Sequence, residues 1–327
     1  MNAFPIIDAH LHFIGNHPDS LAMLEEFNLK LLNVCVSHSS FKWREIMATP
    51  YRDLARRYPH RYAWCTAFVS PGFDDPDYAE RAIRDLERDF ADGAIACKVW
   101  KDLGMDLRDP QGRYVMVDDP IFAPIFEHLA HRGKPLLMHI GEPLSCWQPL
   151  NPASPHYNYY SKNPRWHVYG RPGFPSHAEI LAARDRVIEN HPRLRVIGAH
   201  LGSLEHDVRE IARRMERFPN FAVDTSARLT DLAFQDPSVV RDFLHRFSDR
   251  VLFGTDIVAR TPQDQMTPEE RTELLDAARA NYRRHLAFLG GRAPVEFQGR
   301  SIPGLGLSAD LMEKLFFANA RAWYPGI

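Results

Sequence analysis

"IIDAHLHF", Ile6–Phe13, is a short apolar run broken by two histidines with one leucine between them. Its length and its isoleucines read as a β-strand. Successive side chains of an extended strand point to opposite faces, so His10 and His12 share one face and Leu11 takes the other. Two imidazoles on one face are a ready pair of metal ligands. They are also ordinary polar residues where a strand emerges into water. The rest of the chain has to decide.

Strand-like runs recur seven more times, at Leu31–His38, Tyr62–Val69, Ala94–Trp100, Pro135–Gly141, Arg193–Gly202, Asn220–Ser226 and Arg250–Ile257. Longer segments with helical periodicity lie between many of them. In "DYAERAIRDLERDFADG", Ala79, Ala82, Ile83, Leu86 and Phe90 form a three–four apolar stripe that Gly93 can stop. Eight such alternations predict an α/β protein, a (β/α)8 TIM barrel of one domain over residues 1–327. A doubly wound open sheet lacks the GxGxxG turn expected after its first strand. Two regions break the rhythm. Residues 142–176 form a long loop after the fifth strand, rich in Pro, Tyr and Trp, which on a barrel would cover the catalytic face. Residues 259–308 hold a helical run and a Gly- and Pro-containing loop, and 309–327 read as a closing C-terminal helix.

Composition narrows the function classes. The chain has 327 residues with a formal net charge of -2, from 40 basic and 42 acidic side chains. This balance argues against non-specific binding to nucleic acid or to an anionic membrane surface, both of which want a basic face. Cys35, Cys65, Cys97 and Cys146 lie far apart with no CxxC, which suggests buried thiols rather than a disulfide framework or a zinc ribbon. No N-terminal signal pattern and no apolar window of about 18 residues is visible. The expectation is a soluble cytoplasmic protein acting on a small molecule, with a homodimer as the default assembly.

Barrel enzymes gather their chemistry where the strands finish. Strand one ends with His10 and His12, strand five with His139 in "LLMH", strand six with His200 in "VIGAH" and strand eight with Asp256 in "LFGTD". A lone histidine at a strand end is more often structural, and Asp256 alone could cap a helix or a turn. Four histidines and a carboxylate at strand ends of one barrel are a different observation. Neutral imidazole and carboxylate suit zinc, iron or manganese.

The ordered set "DAHLH", "MHIGE", "GAHLGS" and "LFGTD" resembles the amidohydrolase superfamily. Within it, the chain looks most like the amidohydrolase-related branch that includes aminocarboxymuconate-semialdehyde decarboxylase. The resemblance runs from Ile7 to about Tyr324. It implies that His10, His12, His139 and Asp256 hold or border a metal, and that His200 either ligates a second metal or polarises the substrate. Lys98, in "ACKVW", stands where binuclear members carry a carbamylated lysine. An ion-paired or substrate-binding role is the alternative, and a single divalent ion per chain is expected, zinc first, manganese or iron otherwise. Lys101 would face away from Lys98 in a continued strand.

A bound metal of this kind lowers the pKa of its water to about 7. Asp256 is then the natural general base and His200 the group that polarises a carbonyl. Arg228, just past strand seven, could pair bidentately with a substrate carboxylate. Asp224 could orient a ligand histidine, and Glu205 is expected in the first turn of a helix. Tyr157, Tyr159, Tyr160, Trp166 and His167 of the long loop could wall a planar substrate or fill a satellite core. The leading expectation is a metal-dependent hydrolase of a C–N or C–O bond in a small, cyclic or carboxylated metabolite. The alternative is a metal-dependent decarboxylase of an aromatic or unsaturated acid. A non-catalytic barrel should have lost a strand-end ligand, and none is missing here.

Overall fold

A computed structural model of the chain describes residues 4–37 and 42–327. The eight runs form eight parallel strands in consecutive order: β1 (Ile6–Phe13), β2 (Leu29–Val34), β3 (Tyr62–Ala67), β4 (Ala96–Val99), β5 (Leu136–Met138), β6 (Val196–Gly198), β7 (Phe221–Asp224) and β8 (Val251–Leu252). His38, at the end of the second expected run, lies outside the described residues. A further segment, β9 (Val258–Ala259), pairs with β1 at His12 and Phe13. Ala9 N–H donates to Phe253 O at 2.9 Å and Asp256 N–H to His10 O at 2.8 Å. These bonds join β1 to the chain leaving β8, so the sheet closes as a single-domain (β/α)8 barrel.

The first strand carries an irregularity with consequences. Asp8 pairs with Leu31 and Leu11 with Asn33, so β1 takes three steps where β2 takes two. One extra residue in a strand shifts the faces of everything beyond it. Before the bulge, Ile7 and Ala9 point into the barrel, with Leu32, Val34, Leu137, Ile197 and Leu252. Beyond it, Leu11 and Phe13 pack in the outer layer between sheet and helices, which leaves His10 and His12 to face inward. Without the bulge the two histidines would have followed Asp8, which points outward to Thr255 and to Tyr282 OH (2.9 Å).

The barrel floor is apolar. Ala320, Trp323 and Tyr324 join the inner cluster, so the C-terminal segment plugs the bottom of the barrel. That segment is not one continuous α-helix: Ala309–Glu313 and Asn319–Trp323 flank a π-helical stretch at Lys314–Ala318. Capping fixes the long outer helices. Ser176 with Glu179 starts His177–Asn190, and Thr267 with Glu270 starts Pro268–Gly290; both are capping boxes. The expected loop near residue 300 contains a hairpin, Pro294–Phe297 with Arg300–Pro303. Its two turn residues, Gln298 and Gly299, both have positive φ, as tight hairpin turns require. All four cysteines are buried and unpaired. Among the described residues, no helix is long and apolar enough to cross a membrane.

Candidate metal centre and active site

The ladder of β5 stops at Met138 and that of β6 at Gly198, which frees His139 and His200 to turn into the mouth. His200 sits in a left-handed turn with Leu201 and Ser203, at φ 57, 58 and 56°. Asp256, at φ 60°, adopts the same conformation. Each such non-glycine residue costs on the order of 1 kcal/mol or more, and strain of this kind gathers at functional sites. Local bonds hold both residues in place. His200 N–H donates to Asp224 Oδ1 at 2.9 Å, and Asp256 N–H donates to the His10 carbonyl.

Asp224 organises the floor of the mouth. Its Oδ2 lies 2.8 Å from His10 Nδ1, while Oδ1 accepts from His200 N–H, from Ser226 N–H at 3.1 Å and from the Ser226 hydroxyl. Burial alone would raise its carboxyl. The charge of His10 and the hydrogen bonds from His10 and Ser226 prevail and lower it to about 2. Both oxygens of Asp224 are engaged by protein donors, although one atom each from His10, His200 and Asp224 also falls within a 4.8 Å group. It is the carboxylate that orients His10, leaving the Nε2 of His10 toward the barrel axis.

The tautomer of His200 follows in the same way. The Ser226 hydroxyl donates to Asp224, and Ser226 O is an acceptor 2.9 Å from His200 Nδ1. The Nδ1 atom therefore carries the proton, and Nε2 presents a lone pair. Burial pushes His200 well below the usual histidine range, as it does His139. A neutral His200 of this tautomer accepts at Nε2 and has no proton there to polarise a carbonyl.

Around this floor, His12 Nε2 lies 3.5 Å from Asp256 Oδ1. Burial first, against the hydrogen bond that His12 makes to Asp256, lowers His12 to about 4. Burial would raise Asp256, but the His12 hydrogen bond first, and then electrostatic interaction with the surrounding imidazoles, holds it well below the carboxylate range. One ligand atom each from His10, His12 and Asp256 falls within a 4.8 Å group. The rings of His139 and His200 are 4.3 Å apart, and those of His10 and His200 4.8 Å. His12 Nδ1 and His139 Nε2 are buried without a partner. The close group of two imidazoles and an ionised carboxylate, His10, His12 and Asp256, is a donor set that suits a divalent cation.

Two lysines flank the cluster. Lys98 is buried, with Nζ 2.9 Å from His10 Nε2, and burial lowers its pKa. Lys101 does not face away as expected. The chain leaves β4 at Val99, so strand alternation no longer applies, and Lys101 enters the same mouth as an ion pair with Glu142. Burial, and after it the charge of Arg228, lowers Lys101 to about 7.

The mouth itself is a cavity of about 240 Å³ lined by Lys101, His139, Glu142, Pro143, His156, Tyr159, His200, Ala227, Arg228 and Asp256. The long loop thus supplies Glu142, His156 and Tyr159 to the wall. Tyr160, Trp166 and His167 stand behind that lining. Tyr160 OH donates to Glu142 Oε2 at 3.1 Å, Trp166 packs its ring 4.0 Å from Lys101 Nζ, and His167 Nε2 faces Gln148 O at 2.9 Å. Arg228 is buried; one guanidinium nitrogen donates to Ala227 O, and Nε has no partner. Glu205 precedes its helix instead of entering it, because Asp207 caps Val208–Arg217.

The amidohydrolase family profile matches residues 7–326, nearly the whole chain. The chain belongs to the amidohydrolase family. Solved structures of similar fold span decarboxylases and hydrolases of this branch. The 2,6-dihydroxybenzoate decarboxylase from Rhizobium superposes with a TM-score of 0.57 at 15% identity, covering 98% of each chain. A dihydroxybenzoic acid decarboxylase from Polaromonas, with bound manganese and 2-nitroresorcinol, gives 0.53 at 16% identity over 98% of this chain and 97% of that one. A probable 2-pyrone-4,6-dicarboxylic acid hydrolase from Acinetobacter baumannii gives 0.50 at 10% identity over 98% and 99%. No curated protein matches the sequence significantly. The protein is therefore an amidohydrolase-family enzyme of the barrel type.

Proposed function

We propose that this amidohydrolase is a metal-dependent hydrolase of a C–N or C–O bond in a small, carboxylated substrate. One observation carries the reading. A single cavity brings the ionised Asp256 and the neutral His200 together with two cationic side chains, Lys101 and Arg228. His10, His12 and Asp256 would hold one divalent ion, zinc or manganese; His139 lines the same cavity outside that close group. Such an ion supplies Lewis-acid polarisation and a water nucleophile at neutral pH.

The protein's own groups do the rest. Asp224 fixes the His10 tautomer and aims its Nε2. Arg228 and Lys101 would take the substrate carboxylate and set the scissile bond against Asp256. Asp256 accepts the proton of the attacking water and returns it to the leaving nitrogen or oxygen. His200 acts as an acceptor at Nε2, holding that water or sharing the cation. Tyr159 covers the substrate from the loop side.

Decarboxylation is the second reading, favoured by the dihydroxybenzoate decarboxylases among the structural relatives. Product analysis separates the two. Hydrolysis incorporates solvent ¹⁸O into product without release of CO₂. Stoichiometric CO₂ from a carboxylic acid, with no label gained, would replace the hydrolytic reading.

A further inference from the structure

Next to the catalytic mouth lies another cavity, of about 240 Å³, and His156 lines both. Three loops from successive strand ends meet there. His156 comes from the long loop after β5, just before the helix Tyr157–Lys162. Glu205 follows the left-handed turn after β6, and Asp231 lies in the short helix Leu229–Ala233 after β7. One ligand atom from each of the three falls within a 4.8 Å group. His156 Nε2 is 2.9 Å from Asp231 Oδ1.

Glu205 makes this more than a cluster of polar residues. It is 2% exposed. Its Oε1 accepts the Leu144 N–H at 3.0 Å, while Oε2 is buried with no partner. Leaving a buried carboxylate oxygen unpaired is costly. The ion pair that Glu205 makes among the described residues, a long one to His206 Nδ1 at 3.9 Å, falls on Oε1 and not on Oε2. The surroundings are built to hold the carboxylates in place. Gln235 Nε2 donates to the carbonyls of both Glu205 (2.8 Å) and Asp231 (3.1 Å), and its Oε1 accepts the Val208 N–H.

We propose that His156, Glu205 and Asp231 form a second divalent-cation site, separate from the one at His10, His12 and Asp256. One imidazole and two carboxylates suit Zn²⁺ or Mn²⁺ better than a hard, oxygen-only ion such as Ca²⁺. Binding would displace the proton shared by His156 Nε2 and Asp231, as ligation requires a deprotonated donor. Its role is mechanical. The ion ties the long loop to the ends of β6 and β7, and because His156 and Tyr159 belong to the catalytic wall, filling it fixes that wall.

The test is anomalous diffraction from wild-type crystals grown with millimolar MnCl₂ or ZnCl₂, with metal counting of the same protein. The expected result is a peak among His156, Glu205 and Asp231 in addition to the mouth peak. Glu205→Gln should remove that peak and one equivalent of metal, while the mouth ion stays and the metal-induced rise in melting temperature shrinks. A mouth peak in wild type with nothing at the His156 group would overturn the proposal without touching the hydrolase reading. So would a second equivalent of metal that persists in Glu205→Gln, with its peak beside Lys98 and none among His156, Glu205 and Asp231.

Discussion

The two ends of the barrel obey opposite rules. At the floor, alternate strand residues, Trp323 and Tyr324 form a plug that is apolar apart from the buried, unpartnered Tyr324 hydroxyl. At the mouth, side chains of the same strands' continuations are polar and buried, His200 and Asp256 sit in left-handed conformations, and His12 Nδ1, His139 Nε2 and Arg228 Nε have no partner. Free energy gained by burial at one end can sustain strain and unmet donors at the other. The floor is there to stay folded, and the mouth is there to bind.

The contrast can be broken by mutation. The largest effect on turnover belongs to Asp256→Asn, which should lower kcat by roughly 10²–10⁴-fold while leaving the melting temperature unchanged or raised. At the floor, Leu252→Ala should cost about 2–5 kcal/mol of stability by opening a cavity, with kcat per folded molecule retained. Urea unfolding combined with active-site titration reads both. If Leu252→Ala abolished turnover in folded protein, or Asp256→Asn unfolded the chain, the division would fail.

Asp224 lies between the two regimes. Asp224→Asn keeps the shape but loses the charge that orients His10, and metal affinity should fall roughly 10–100-fold, as measured by competition with a chelator. An unchanged affinity would mean that His10 needs no such partner. A smaller effect is expected at Lys101. Its ammonium is retained below about 7 and lost as the pH rises through that value. KM for a carboxylated substrate should therefore rise with pH across this range while kcat follows its own profile. Lys101→Met should raise KM roughly 10-fold at pH 6, the scale of one charge-assisted hydrogen bond, and flatten the pH dependence. A KM that ignores both changes would remove Lys101 from substrate binding.

The same division shows what could be read from the chain. Strand order and the strand-end histidines were legible, because apolar runs ending in polar residues are local patterns. The bulge at Ala9–His10 was not. The alternation argument placed His10 and His12 on one face correctly, but only the extra residue turns that face inward, and it is set by pairing with β2. Lys101 was misread because strand periodicity was carried past Val99, where the ladder ends. Glu142, His156 and Ser226 lie in irregular segments without periodicity, so their meeting with distant loops leaves no local trace. "MHIGE" was in view for its histidine, and its glutamate, one residue past a positive-φ glycine, was the available hint.

The central claim is that the mouth holds a catalytic divalent ion on His10, His12 and Asp256. Its most direct test is metal content per chain, by elemental analysis of protein purified without chelators, for wild type and His12→Ala side by side. The prediction is bound zinc or manganese in wild type, one equivalent fewer in the variant, and loss of activity in step with the loss of metal. A wild-type protein that turns over its substrate fully with no metal bound would contradict the account.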